Sequence, residues 1–310
     1  MSRLRKRELH GLLREMGFDA GSIRAFDRAL RMAQGSPGVA GVDIGQKWVG
    51  REPADLVAVR LHVRQKRPPE QLDKGERFPH EIDGTPTDVI EAPYQRHDGD
   101  EQGRGGRAVA QATIRPGLGI SHAKGPPGTL GFLARESAPP HRSCLVSADH
   151  VLFHSQFSRA GEPVVQPARS DGGAGPAHTV GVLLRRDRAT DSACAVAVGP
   201  RGFDDLVFGS SVRLRKAAVP QMAMILHKSG LATGVTRGKV DGAGVLRNQV
   251  MISIHAIPGD PLPMCDFSDS GSAWYDLDTG TVIGIHSAGD RRRAAAGVAT
   301  LALQRLGLEL

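Results

Sequence analysis

The sequence predicts a mainly β protein in which antiparallel strands close into barrels, with a small α+β segment ahead of them and a helix at the end. Three features predict it: the turn residues, the rhythm of short apolar runs, and one run of strict alternation. Among 310 residues, 39 are Gly and 20 are Pro, and 40% are hydrophobic, a mixture that suits a turn-rich globular chain. From TLGFLA onward, apolar runs recur between turns as SCLVSA, EPVVQPA, HTVGVLL, ACAVAVG, MAMILH, NQVMISIHA and GTVIGIH, the spacing of strands in a barrel or sandwich.

The elements follow in order. Leu4, Leu9, Leu12, Leu13, Met16, Ile23, Phe26 and Leu30 recur at helical spacing with a break around Gly17 and Gly21, so two short amphipathic helices open the chain. In DLVAVRLHVR, Val57, Val59, Leu61 and Val63 alternate with Ala58, Arg60, His62 and Arg64, which predicts a half-buried strand ended by Pro68-Pro69. HDGDEQGRGGRAVAQ, residues 97–111, holds nothing that would anchor a core and reads as a linker between a segment at 1–96 and a larger domain at 112–310 that opens near Thr113 to Ser121. In GVATLALQRLGLEL, Val298, Leu301, Leu303, Leu306 and Leu308 predict a terminal helix packed on a sheet.

Composition excludes several classes. No stretch approaches the roughly 18 apolar residues of a membrane span, and the charged start has no apolar signal core, so a cytoplasmic protein without membrane attachment is expected. Cys144, Cys194 and Cys265 are an odd count without close spacing, which reads as reduced buried thiols rather than a disulfide framework or a zinc site. His150 and His154 share helical spacing, yet no carboxylate motif accompanies them, and no phosphate-cradling loop exists, so neither metal nor cofactor is expected. A net charge of +7 attracts anions without specificity, but aromatic residues are only 4% and none interleaves with the basic clusters, so nucleic acid is not the favoured partner.

Three local sequences carry chemistry in a telling order: SCLVSADHVL around His150, RATDSACAVA around Asp191 and CDFSDSGSAW around Ser270. Hydrolysing an amide takes a nucleophile, a base near neutral pKa, a group fixing the tautomer of the base, and donors for the developing oxyanion. His150 stands at the end of an apolar strand, where an imidazole is held rigidly at a cleft rim. Asp191 precedes a run of small apolar residues that would take its carboxylate out of water. Small residues flank Ser270 and permit a tight turn aiming the N–H groups of Ser268 and Ser270 at an oxyanion. Each segment alone also fits ordinary surface or loop chemistry.

SDSGSAWYD followed by TVIGIHSAG resembles the nucleophile turn and substrate-aligning strand of trypsin-like serine proteases, and VSADHVL resembles their histidine segment. PPGTLGFLA, GEPVVQPARSDGG, KSGLATGVTRGKV and the upstream RLHVRQKRPPEQL and EIDGTPTDVIEAPY are similar to a narrower group, an intracellular bacterial trypsin-like family related to the plant narrow-leaf proteins. The resemblance runs from about Gly41 to Gly289 and implies a chymotrypsin-like double β-barrel. It also implies a polypeptide substrate and an acyl-enzyme on Ser270, with His150 as general base and Asp191 orienting it. It places Met264 at the floor of the pocket for the side chain before the cut, His286 beside it, and Ser287 to Gly289 along the substrate. His286 stands where glutamate-specific bacterial relatives carry histidine, and Arg291, Arg292 and Arg293 follow, so an acidic residue before the cut is the implied preference.

The chain departs from the family at Ser268, a position normally Gly, where a Cβ strains the turn. The alternative reading is therefore a catalytically impaired protease fold acting as a protein-binding or regulatory module, with a nucleic-acid-associated regulator behind it. Asp269 has no cleavage-released Ile or Val terminus in view, so the site is expected to form without activation. Self-processing and a regulatory protein partner stay open.

Overall fold

A computed structural model describes residues 3–34, 36, 38–50, 52–72, 77–92 and 105–310. Helices Arg3–Glu15 and Ala20–Ala33 come first. Gly17 separates them at φ 92°, letting the Phe18 amide reach the Leu13 carbonyl at 3.0 Å and close the first helix. Asp19 caps the second, its Oδ1 accepting from the Gly21 amide at 2.6 Å and the Ser22 amide at 3.0 Å. Gly21 thus lies inside the helix rather than in the break.

The second half of the chain forms a closed six-stranded barrel. Its antiparallel ring runs Ile225–Gly230, Ala273–Tyr275, Thr281–Gly289, Arg293–Val298, Gln249–His255, Gly234–Leu246 and back to Ile225–Gly230. The preceding half is an open half-barrel, in which Phe132–Glu136, Ser143–Ala148, Ser192–Ala197, Thr179–Asp187, Pro163–Val165 and Gly119–His122 are antiparallel neighbours in that order. Together they make a mainly β, chymotrypsin-like double barrel. Ile120, Leu145, Val164, Val180 and Ala195 fill the half-barrel, while Phe132, Val146, Ala273, Ile285 and Leu303 pack in a second cluster that joins the two halves. The last helix, Ala299–Leu306, contributes to that joint. It is shorter than the apolar pattern predicts: Gly307, at φ 62°, ends it, and Leu308 pairs as a strand residue with Glu136.

Strand Gly234–Leu246 is longer than the ring needs, and its far end pairs with Val39–Val49 from Gly41↔Leu246 to Gly45↔Gly242. Val39–Val49 pairs with Glu52–Val63, which runs parallel to Thr85–Glu91. The leading helices add Leu9, Leu13, Ile23 and Phe26 to a core shared with Val240, Ile252, Ile254 and Trp274 of the barrel. Residues 97–104 of the expected linker lie outside the described residues. In its described part Arg107 is an anchor after all, its Nη2 donating to the Phe208 carbonyl and the Ser229 hydroxyl, each at 3.1 Å.

The alternation in Val57–Val63 does not separate core from solvent, because Arg60 and His62 are fully buried with Val59 and Leu61. The Arg60 guanidinium donates to both oxygens of Asp43 at 2.7 and 2.6 Å, to Asp241 at 2.8 Å and to the Ser253 hydroxyl at 2.6 Å. Gly242 makes room: a Cβ there would sit 2.2 Å from the guanidinium. Burial opposes ionisation of Asp43, yet Arg60 and His62 hold its carboxyl below the ordinary carboxylate range. Removing one partner from such a set leaves buried charge unpaired. Arg60→Met is expected to cost about 3–5 kcal/mol in urea unfolding, and a loss below ~1 kcal/mol, the size of a surface pair, would contradict the role given to this cluster.

Candidate active site

His150 lies in a single helical turn, Asp149–Leu152, directly after strand Ser143–Ala148. Asp191 lies directly before strand Ser192–Ala197, and the pairing Ser192↔Ala148 brings the two ends together. Asp191 adopts φ 48°, a left-handed conformation that Asp tolerates better than most residues. Its carbonyl accepts from the Asp149 amide at 3.1 Å, and its carboxylate accepts from His150 Nδ1 at 2.8 Å and from the His150 amide at 3.3 Å. The Ser287 hydroxyl, on the neighbouring strand of the closed barrel, donates to the same Asp191 Oδ2. An ionised carboxylate only accepts, so the proton of a neutral His150 sits on Nδ1 and Nε2 is left as the basic nitrogen.

Ser270 shares a cleft of about 90 Å³ with His150, bounded also by Pro126, Pro127, His154 and Asp266. Its hydroxyl donates to the Ser287 carbonyl at 3.4 Å, and no hydrogen bond joins it to His150. The turn carrying it is tied to the half-barrel. The Ser270 carbonyl accepts from the Thr129 amide at 2.8 Å, and the Ser268 carbonyl accepts from the Thr129 hydroxyl at 2.6 Å. Gly271, at φ 92°, admits no side chain, since a Cβ would fall 2.0 Å from the Ser147 hydroxyl. Ser268 stands at φ 71°, where a Cβ costs on the order of 1 kcal/mol.

Asp269 fixes this turn from beneath. Fully buried, it receives Lys228 Nζ at 2.7 Å, the Thr233 hydroxyl at 2.6 Å, and the amides of Ala232, Thr233 and Asp266 at 2.9, 3.1 and 3.1 Å. Burial pushes its pKa upward, but Lys228, the Thr233 hydroxyl and His286 together outweigh it and hold the carboxyl below its ordinary value. Sequence reasoning gave Lys228 no role, although a lysine inside the apolar run ILHKSG was a signal that a buried carboxylate awaited it.

The specificity residues divide. His286 and Gly289 line the cleft, and Ser287 meets Ser270 through its carbonyl. Met264 does not reach the cleft. It is 1% exposed and packs against Gly238, its sulfur 2.7 Å from where a Cβ on that glycine would lie. His286 Nδ1 is 3.3 Å from Trp274 Nε1. An indole N–H only donates, so Nδ1 accepts and the His286 proton belongs on Nε2. Asp266, which the sequence did not single out, adds a carboxylate to the cleft. His154 was also without a role. Its Nδ1 lies 3.1 Å from the Ser158 hydroxyl, and its ring packs 4.5 Å from that of His122, whose pKa burial lowers.

Similar solved structures are serine proteases. One is a glutamic-acid-specific serine protease described as using a histidine triad in substrate binding, 20% identical over 64% of this chain and 100% of that one, TM-score 0.46. Thermobifida fusca protease A is 16% identical over 64% and 98%, TM-score 0.47. The Nocardiopsis protease is 18% identical over 64% and 98%, TM-score 0.46. No family model and no curated relative matches the chain.

Replacing Lys228 isolates its electrostatic part. With Lys228 present, the folded-state pKa of Asp269 is lowered, so its contribution to stability is present above the unfolded value, 3.8, and is lost as pH falls below that. In Lys228→Met burial is opposed only by the Thr233 hydroxyl, the surrounding amides and His286, so the folded pKa of Asp269 rises relative to the parent and the difference between the two proteins shrinks as pH falls. The variant is therefore expected to be destabilised by about 3–5 kcal/mol near neutral pH and by clearly less near pH ~4.5. Urea unfolding at both values checks this, and a pH-independent difference would show that Lys228 acts through packing alone.

Proposed function

We propose that the chain is a serine endopeptidase. The reading rests on the His150–Asp191 pair, with its tautomer set by geometry, opening on the same cleft as Ser270. For attack the Ser270 hydroxyl has to turn from the Ser287 carbonyl toward His150 Nε2; such hydrogen bonds are often loose before substrate arrives. Ser270 Oγ then attacks the scissile carbonyl, and its proton passes to Nε2. Asp191 stabilises the imidazolium so formed, and the amides of Ser268 and Ser270 stabilise the oxyanion. The imidazolium protonates the leaving amine. Water, deprotonated by the same nitrogen, then hydrolyses the acyl-enzyme on Ser270.

The resemblance to intracellular bacterial trypsin-like proteins belongs to this proposal. So does an accessory role for residues 1–96, joined through 97–111 to the protease portion at 112–310. Three buried free thiols support a cytoplasmic setting, and no helix among the described residues is long and apolar enough to cross a membrane.

A second reading is favoured by one observation, the left-handed conformation forced on Ser268 beside the oxyanion position. In it the fold persists as a binding module with little turnover. A fluorophosphonate probe separates the two, because only an activated serine is labelled. We expect Ser270 to be labelled and Ser270→Ala to lose about 10⁶ in turnover. An intact, folded protein that is not labelled would establish the binding-module reading.

In the cleft, His286 carries its ring proton on Nε2 while Asp266 opposes a second carboxylate. The preference for Glu before the cut follows from the first, and Asp266 limits it. Peptide-library cleavage should show acidic enrichment, and Asp266→Asn should raise that enrichment by about tenfold, or ~1.4 kcal/mol. Profiles with no acidic enrichment in either protein would dismiss the preference.

A further inference from the structure

A larger concavity lies away from the catalytic cleft, a groove of about 870 Å³ where strands Val39–Val49, Glu52–Val63 and Thr85–Glu91 meet residues 64–72 and 77–80. Its size is that of a ligand site rather than a surface dimple. Lys47, Arg64, Lys66 and Arg77 stand around it. Among the described residues no carboxylate pairs with Lys47, Arg64 or Lys66, whereas Arg60, Arg142, Arg213 and Arg237 elsewhere in the chain each hold one. Among the described residues one carboxylate lines the groove, Asp88, and it accepts from the Trp48 amide at 3.0 Å. Between the cations the walls are apolar, with Val63, Leu72, Phe78 and Val89 half-buried and unspent on the main core.

We infer that this groove is a docking site for an acidic polypeptide segment that carries apolar side chains between its carboxylates. Both halves of the lining are then matched: unpaired cations meet carboxylates, and the aliphatic walls cover apolar side chains. A nucleic acid would satisfy only the first half. Among the described lining residues the only rings are Phe78 and His80, too few to stack a run of successive bases. The groove is also continuous with the closed barrel. Trp48, adjacent to Lys47, donates from Nε1 to Asp241 at 3.2 Å and packs 4.1 Å from His255, with the Arg293 guanidinium 5.5 Å from its ring. A segment held there remains part of the molecule that carries the cleft, which makes the groove a recruiting surface for substrates; that consequence, unlike the binding itself, rests on the protease reading.

The test uses the full chain carrying Ser270→Ala and a short fluorescent peptide of alternating Glu and Leu, read by anisotropy at low and moderate salt. Saturable, salt-sensitive binding is expected, weakened at least about tenfold when Arg64→Glu and Lys66→Glu are combined. Arg64→Gln with Lys66→Gln should give a smaller loss, and thermal melts of both pairs should match the parent. The peptide with Gln for Glu should not bind, and a single-stranded oligonucleotide of equal charge should bind more weakly than the acidic peptide. Equal binding of the Gln peptide, indifference to both substitution pairs, or tighter binding of the oligonucleotide would overturn the proposal. Fluorophosphonate labelling of the parent chain is scored separately, so a failed protease reading and a failed docking site are told apart.

Discussion

One buried carboxylate, Asp269, organises the part of the molecule where chemistry is placed. Removing it from water costs several kcal/mol unless donors surround it, and here an ammonium, a hydroxyl and three amides do so. Those donors come from strand Ile225–Gly230, the turn after it, and the loop that carries Ser270. The loop therefore has one low-energy shape, and the strained conformation of Ser268 and the side-chain-free approach of Gly271 to Ser147 are consequences of it. The internal source of the cation matters as well: Lys228 is delivered by folding of the closed barrel, so the turn is set once that ring has closed.

The three groups proposed for chemistry were legible because each sits in a short local sequence whose neighbours define its setting. His150 and Asp191 flank strands that any apolar-run reading finds, and strand pairing does the rest. Lys228 was legible only in part: a lysine inside an apolar run implies a buried carboxylate, but the partner lies 41 residues on and nothing local says which one it is. Met264 failed for a different reason. Counting back from Ser270 fixes a position along the chain, but the Pro-rich segment before the turn carries that side chain inward, and the bare backbone of Gly238 accepts its sulfur. Leu308 fitted the helical period only because periodicity does not see the left-handed Gly307 that stops the helix.

The alternation in Val57–Val63 shows where period-two reading ends. It distinguishes two faces of a strand and is silent on whether the second face is covered. Arg60 and His62 look solvent-facing until Asp241 and Ser253, more than half the chain away, are folded against them. Low apolar content at 97–111 is likewise silent on polar anchoring: among the described residues 105–111, Arg107 and Gln111 both hydrogen-bond to the rest of the protein.

The ion cluster at Arg60 also explains how the leading strands can join the barrel in one register. Where Val39–Val49 meets Gly234–Leu246, a slip by one residue would turn Val42 and Ile44 out of the core they share with Ala243 and Val245. Such a slip would rotate Asp43 to the opposite face and leave Arg60, Asp241 and the Ser253 hydroxyl without their partner in a water-free interior, a penalty of several kcal/mol. An all-apolar seam of equal area would lack that penalty. Fixing this register fixes Trp48 against His255 and Arg293, and Arg293 opens the strand that pairs with Thr281–Gly289, where His286 and Gly289 border the cleft. The groove on the leading strands and the closed-barrel wall of the cleft therefore belong to one continuous sheet.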